Sequence, residues 1–364
     1  MKHLIAGLIL SAALAACTPD APEQSELGAA SDTSADASAD MSEAPQATDE
    51  TETDMATAQR PDWRIVIHGG AGVILRENLS DEQEAAYTAA LEAALQAGAG
   101  ILSNGGSSLD AVQAAVLTME DDLLFNAGYG AVMTADRMHE LDASIMEGNQ
   151  RDAGSVAGVT RVKNPILAAR AVMDQSEHVM FAGEGADSFA GSVGLELVEN
   201  DYFTTDRRVE ALDRVLETRE RTDADRHGTV GAVAIDQNGN LAAATTTGGM
   251  TAKMHGRIGD APLIGAATYA QNGVCAVSAT GHGEYFIRVG VAKTICSRVE
   301  LAGEGIQTAA ENALAQVADL GGDGGVIVMG GEGEFAYVFN SKGMYRGMMD
   351  ADGTLETAIF EAGK

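Results

Sequence analysis

From residue 63 onward the chain alternates between two textures. Short runs of apolar and β-branched residues give way to longer stretches whose apolar residues recur three and four apart. Residues 63–67 (Trp-Arg-Ile-Val-Ile) read as a strand, and His68-Gly69-Gly70-Ala71-Gly72 as a glycine-rich turn after it. That turn lacks the lysine and hydroxyl residue of a phosphate loop, so His68 is read as a hydrogen-bonded turn residue. Ser80-Asp81-Glu82-Gln83 is a capping-box sequence that predicts a helix to about Gly98. A second helix opens at Ser107-Ser108, with Leu109, Val112, Ala115, Val116 and Met119 on one face. Residues 120–130 form a loop, 140–146 and 155–160 are strands, and Asn164-Pro165 starts a helix to about Gln175. Residues 206–219 are amphipathic and helical, and the polar run 222–226 is an exposed linker.

The second half repeats the order of strands before helices. Strands 229–236 and 240–246 flank Gln237-Asn238-Gly239, a hairpin signal. Strands follow at 263–268 and 273–279, then helices at about 284–301 and 306–320. Residues 325–329 and 334–339 form a last hairpin. Two halves of this kind give an α+β fold. They suit two sheets between helix layers, a four-layer αββα sandwich.

Composition changes the picture mainly at the start of the chain. The 364 residues carry a formal charge of −31, which disfavours nucleic-acid phosphates as a partner. Part of that charge lies in residues 18–59, which hold eleven acidic residues, no basic one and no aromatic. Such a stretch cannot bury enough apolar surface to offset chain ordering, so 17–60 reads as a disordered, self-repelling tether. Before it, Met1-Lys2-His3 and the apolar run 4–16 have the form of a signal peptide, too short to span a bilayer comfortably. Leu14-Ala15-Ala16-Cys17 resembles a bacterial lipobox, which implies cleavage before Cys17 and lipidation of its thiol. A plain secretory signal is the alternative. Thr18 after the cysteine resembles outer-membrane sorting in Gram-negative lipoproteins, and so implies a cell-envelope protein facing the periplasm. The folded domain is then 61–364. Cys275 and Cys296 have no metal-site spacing; they read as small buried residues that an oxidising compartment could also pair.

The candidate chemistry centres on His227-Gly228-Thr229-Val230-Gly231. Thr229 is ordinary as an internal residue. Cutting the Gly228–Thr229 bond would place a hydroxyl nucleophile and an α-amine base on one residue. Such an amine titrates at roughly 7.7 to 8, so much of it is neutral at working pH. Downstream lie Thr245-Thr246-Thr247-Gly248-Gly249, Gly256-Arg257-Ile258-Gly259-Asp260 and Thr280-Gly281-His282-Gly283-Glu284. Upstream lie His68-Gly69-Gly70-Ala71-Gly72, Leu124-Phe125-Asn126-Ala127-Gly128 and His139-Glu140-Leu141-Asp142.

In this order and spacing, from about residue 63 to the end, the motifs resemble the isoaspartyl peptidase/L-asparaginase family of N-terminal nucleophile hydrolases. The resemblance implies an αββα sandwich that cuts itself into an α chain ending at Gly228 and a β chain 229–364. It implies Thr229 as nucleophile, Thr247 beside its hydroxyl, and Thr280 with the Gly281 N–H as the oxyanion hole. Arg257 would clamp a substrate carboxylate, and Asp260 with the Gly283 carbonyl would hold its ammonium. Asn126 would accept from the new Thr229 amine. Read alone, Arg257 and Asp260 could equally be a surface ion pair.

The implied substrates are isoaspartyl dipeptides and asparagine, both releasing aspartate, with no organic cofactor. Gly248-Gly249 stands where aspartylglucosaminidases carry Asn-Gly, which disfavours a glycosylasparaginase without removing it. An unprocessed lipoprotein that binds amino acids without turnover is the other alternative. The resemblance further implies a structural sodium ion on the carbonyls of Met119, Glu120, Asp122, Phe125, Ala127 and Tyr129. Glu120-Asp121-Asp122 lacks the spacing of a calcium loop. A dimer of αβ units is implied as well.

Overall fold

The computed structural model describes residues 62–220 and 228–360. The signal segment, Cys17, the acidic tether and the linker 222–226 lie outside the described residues.

Two sheets face each other. The larger runs β12-β11-β1-β5-β6-β2-β3-β4 and the smaller β10-β9-β8-β7. Their strands are β1 (Arg64–Gly72), β2 (Leu141–Glu147), β3 (Ala153–Val159), β4 (Met180–Ala182), β5 (Val230–Ile235) and β6 (Leu241–Thr247). The rest are β7 (Thr268–Gln271), β8 (Cys275–Gly281), β9 (Gly324–Gly330), β10 (Phe335–Phe339), β11 (Gly343–Asp350) and β12 (Leu355–Phe360). Neighbours pair antiparallel except β3 with β4.

Helices α1 (Asp81–Ser103), α2 (Ser108–Glu120) and α3 (Pro165–Gln175) pack on the outer face of the larger sheet. Helices α7 (Val291–Ala302) and α8 (Ile306–Asp319) cover the smaller one. The remaining helices are α4 (Gly183–Ser192), α5 (Asp206–Thr218) and the short α6 (Gly283–Val289). The result is the αββα sandwich.

Both faces of the central strands are therefore buried. In β5, Val230, Ala232 and Ala234 join the core under α1 and α2, while Val233 and Ile235 join the core between the sheets. A strand with no solvent face reads as a continuous apolar run. Each fully buried Ile or Val of this kind contributes roughly 1.5–3 kcal/mol. The β5–β6 hairpin turns at Gly239, whose φ of 77° suits glycine, and Asp236 fastens it. One Asp236 oxygen accepts from the N–H groups of Asn238 and Asn240, and the other from Ser108 at the start of α2.

Several local expectations hold. The Ser80–Gln83 capping box is present in both directions, and α3 begins on Pro165. Others need correction. The glycine-rich stretch 68–72 is not a turn but the second half of β1, bulged between His68 and Ala71 and paired with β11. The strand placed at 263–268 starts only at Thr268. The helix placed at 284–301 is two helices, α6 and α7, broken at Gly290 with φ 62°. Strands β11 and β12, and the segment β4–α4, add elements beyond those read from the sequence. Cys275 on β8 and Cys296 on α7 form a disulfide that fastens a covering helix to the smaller sheet.

Candidate active site

Side-chain alternation along β5 turns residues 230, 232 and 234 toward the helices. Thr229, one residue before the strand, is thereby turned toward the smaller sheet. In the β5–β6 register Val230 faces Thr246, so Thr229 stands opposite Thr247. The Thr229 hydroxyl donates to Thr247 Oγ1 at 3.2 Å, and Thr247 Oγ1 also accepts from the Gly249 N–H at 3.0 Å. Both threonines are buried.

Gly228 has φ 140°, a backbone state that favours glycine, and a Cβ there would come 2.8 Å from that of Asn126. Asn126 thus lies against Gly228. Its amide nevertheless has other partners in the continuous chain. Nδ2 donates to the Gly249 carbonyl at 2.7 Å, and Oδ1 accepts from Val132 N at 2.9 Å.

The bulged half of β1 wraps this point. A Cβ on Gly70 would come 2.8 Å from Gly228 Cα, and the Ala71 N–H donates to Thr280 Oγ1 at 3.4 Å. Thr280, on β8, is thus linked through β1 to the neighbourhood of Gly228 and Thr229, with Gly281 next along the strand. His68 lies deepest. Its Nδ1 is 3.1 Å from the Thr229 carbonyl and its Nε2 2.9 Å from Ser278 Oγ. Burial pushes the imidazole pKa down to about 3 despite the Thr229 contact, so the ring is neutral.

A second cluster lies at the end of β8 and the start of α6. A Cβ on Gly283 would come 2.8 Å from Asp260 Oδ1 and 3.1 Å from Arg257 Nη2. That close approach accounts for a glycine at 283. Asp260 is 4% exposed, and its Oδ2 is buried without a hydrogen-bond partner. Burial raises its carboxyl to about 7, against the pull of a backbone hydrogen bond and the Arg257 charge. Arg257 is not paired with Asp260. Its Nε and Nη2 donate to the two Glu284 oxygens at 2.9 and 2.8 Å. Burial alone would raise the Glu284 carboxyl, but the Arg257 bonds outweigh it and hold it below its usual range.

Glu140 fixes the loop that presents Arg257. Its oxygens accept from the Gly256 N–H at 3.1 and 3.2 Å, and Oε1 lies 2.6 Å from His255 Nδ1. Buried Lys253 donates to the Glu140 carbonyl at 2.8 Å. Asp142 faces Thr247 across β2–β6, and its burial-raised carboxyl is pulled back by Lys253 and Arg257. These charges connect the Thr229 cluster with the Arg257 cluster. Sequence reading left His68 as a turn residue and gave Glu140, Lys253 and Glu284 no task. The signal for His68, Glu140 and Glu284 was their place inside the quoted motifs; Lys253, between two of them, had none.

The loop 120–130 bends tightly around its own carbonyls. A Cβ on Gly128 would collide with the Glu120 carbonyl, and one on Gly130 with those of Phe125 and Leu123. Arg208, from α5, donates to the carbonyls of Phe125 and Gly130 at 3.1 and 2.6 Å. Among the described residues no cluster of His, Cys, Asp or Glu has the form of a metal site. An oxygen-only set of backbone carbonyls suits a hard, weakly bound cation.

A sandwich of two sheets between helix layers, with a buried threonine directly after a glycine at a strand head, defines an N-terminal nucleophile hydrolase. The asparaginase family profile matches residues 61–359, and the chain belongs to that family. It is 47% identical over 309 residues to the isoaspartyl peptidase of Escherichia coli (strain K12), covering 81% of this chain and 95% of that protein. It is 41% identical over 283 residues to the isoaspartyl peptidase/L-asparaginase of Xenopus laevis, covering 77% of this chain and 90% of that one. With the Homo sapiens isoaspartyl peptidase/L-asparaginase the identity is 39% over 285 residues, 77% and 91% of the two chains.

Proposed function

We propose that the protein hydrolyses β-aspartyl (isoaspartyl) peptides and the side-chain amide of L-asparagine, releasing L-aspartate. The observation that carries this is the Thr229 hydroxyl on Thr247 Oγ1 at 3.2 Å, immediately after a Gly228 held at φ 140°. The names of the relatives give the substrate class.

Activation begins with attack of Thr229 Oγ on the Gly228 carbonyl. The N→O shift breaks the Gly228–Thr229 amide and forms an ester, which water hydrolyses. The freed α-amine then takes the Thr229 hydroxyl proton during attack on a substrate amide. Thr280 and the Gly281 N–H receive the oxyanion, and the proton passes to the departing ammonia or amino acid. A β-aspartyl ester remains, and water cleaves it. Losing one oxyanion donor typically costs about 3 kcal/mol of barrier. Asp260 Oδ2, buried and unpartnered, is the waiting partner of a substrate ammonium. The Gly283 carbonyl shares that ammonium with Asp260, and Arg257 takes the carboxylate end. Asn126 orients the new amine after Gly228 leaves, provided its Oδ1 exchanges Val132 for that amine.

The sodium ion belongs to the same proposal. The carbonyls of Met119, Glu120, Asp122, Phe125, Ala127 and Tyr129 would hold it, and it would stiffen the loop carrying Asn126.

We place the protein in the cell envelope, anchored through Cys17 to the outer membrane and facing the periplasm, as a dimer of αβ units. The apolar run 4–16 before Cys17 supports this, as does the Cys275–Cys296 disulfide, which suits an oxidising compartment. No helix among the described residues is long and apolar enough to cross a membrane.

Comparing kcat/KM for β-Asp-Leu, asparagine and a glycosylasparagine tests the substrate assignment. The expected order puts β-Asp-Leu first and asparagine second. A clear preference for the glycosylasparagine would overturn it.

A further inference from the structure

His68 is one end of a chain of hydrogen bonds that crosses the interior between the sheets. From the Thr229 carbonyl the contacts run to His68 Nδ1 at 3.1 Å, then from Nε2 to Ser278 Oγ at 2.9 Å. They continue to Thr245 Oγ1 at 2.6 Å, Thr268 Oγ1 at 2.6 Å and Ser144 Oγ at 2.7 Å, and end on the Ala261 carbonyl at 2.6 Å. Thr245 and Ser144 are register partners on β6 and β2, and Ser278 and Thr268 on β8 and β7, so the path zigzags between facing sheets. Every side chain in it is buried with no exposed surface.

The protons in this chain can be counted. Both ends are carbonyls, which only accept. Each hydroxyl has one proton to give, and a neutral imidazole has one. Five groups thus serve six contacts, and one contact lacks its proton. Either the groups point toward Thr229, with His68 Nδ1–H donating and the Ala261 carbonyl left without its hydroxyl, or they point the other way. A doubly protonated ring would fill the gap, but burial opposes it. Arg346, opposite His68 on β11, turns its guanidinium to the carbonyls of Met344 and Phe360.

We propose that this chain is a two-state positioning device linking the substrate-ammonium site to the nucleophile. Its far end lies one residue from Asp260. With the site empty and Asp260 ionised, the negative charge draws the protons toward Ala261 and leaves His68 in its Nε2–H form. A substrate ammonium cancels that charge, the hydroxyls turn, and His68 Nδ1–H grips the Thr229 carbonyl. Substrate recognition thereby steadies the residue that attacks. The ammonium step rests on the proposed function; the proton count does not.

Two-bond 1H–15N correlation spectra of the ring nitrogens, recorded on the processed protein at pH 8, report the His68 tautomer. L-aspartate should raise the Nδ1–H to Nε2–H ratio about tenfold, the scale of one buried hydrogen bond made or lost. Succinate, which lacks the ammonium, should not. Ser144→Ala removes the link to Ala261, leaving four groups for four contacts. That variant should hold His68 as Nδ1–H with or without aspartate, and Thr268→Val should do the same. A merely structural Ser144 would move stability and leave the tautomer alone. The proposal is overturned if aspartate binds and leaves the tautomer unchanged, or if neither substitution moves the ring of the empty protein to Nδ1–H. If calorimetry finds that aspartate does not bind, the substrate reading fails instead. The empty wild type against Ser144→Ala then still decides the chain.

Discussion

Asp260→Asn separates the task of the site from the stability of the fold. Asp260 is buried, one of its oxygens lacks a partner, and its carboxyl rises from 3.8 to about 7. Because the folded value lies above the unfolded one, ionising Asp260 opposes folding. The penalty begins near pH 4, where the unfolded chain ionises, and is complete once pH exceeds about 7. A rise from 3.8 to about 7, at about 1.4 kcal/mol per pH unit, gives roughly 4 kcal/mol. An asparagine carries no such penalty. In a Thr229→Ala background, which keeps one continuous chain, urea unfolding at pH 4, 6 and 8 measures the difference. Relative to its parent, Asp260→Asn should gain stability steadily from pH 4 to 7 and then level off. In processed enzyme the same change should lower kcat/KM by about 10²- to 10³-fold, since a buried charge pair with the substrate is lost. A stability difference that is flat between pH 4 and 8 would refute the reasoning.

Further outcomes follow from single contacts. Gly228→Ala forces a side chain into φ 140° and against Asn126, so it should slow self-cleavage, read by gel densitometry over time, and destabilise the precursor by about 1–3 kcal/mol. Thr247→Val removes the partner of the Thr229 hydroxyl and the acceptor for Gly249 N–H. Steady-state kinetics should show kcat down by about 10- to 100-fold with KM little changed. The Cys275–Cys296 disulfide closes a separation of 21 residues, so replacing both cysteines by alanine should cost about 3 kcal/mol, or roughly 5–10 °C in Tm by calorimetry.

Elements that carry their own local chemistry were legible in the sequence. Ser80 and Gln83 cap α1, Pro165 opens α3, and Asn238-Gly239 turns the β5–β6 hairpin. What stayed illegible depends on the other sheet. His68-Gly69-Gly70-Ala71-Gly72 looks like a turn because its glycines dominate, yet β11 pairs along it and Gly228 needs its close approach. Ser144, Thr245, Thr268 and Ser278 look like solvent-facing positions of half-buried strands. They are instead buried and satisfy one another across the sandwich. Gly290 hid inside a helical period and broke it. In the site, Arg257 and Asp260 read as a neighbouring pair, but the fold puts Arg257 on Glu284 and leaves Asp260 Oδ2 unpartnered.

The central claim is that Thr229 makes itself the N-terminus it needs. Intact-mass spectrometry of the mature protein, with N-terminal sequencing, tests this most directly. The account expects a fragment spanning 229–364 that begins Thr-Val-Gly-Ala, and no such fragment from Thr229→Ala, which should also be inactive. Wild-type protein that hydrolyses β-aspartyl substrates as one uncut chain, or Thr229→Ala protein that is processed and active, would contradict it.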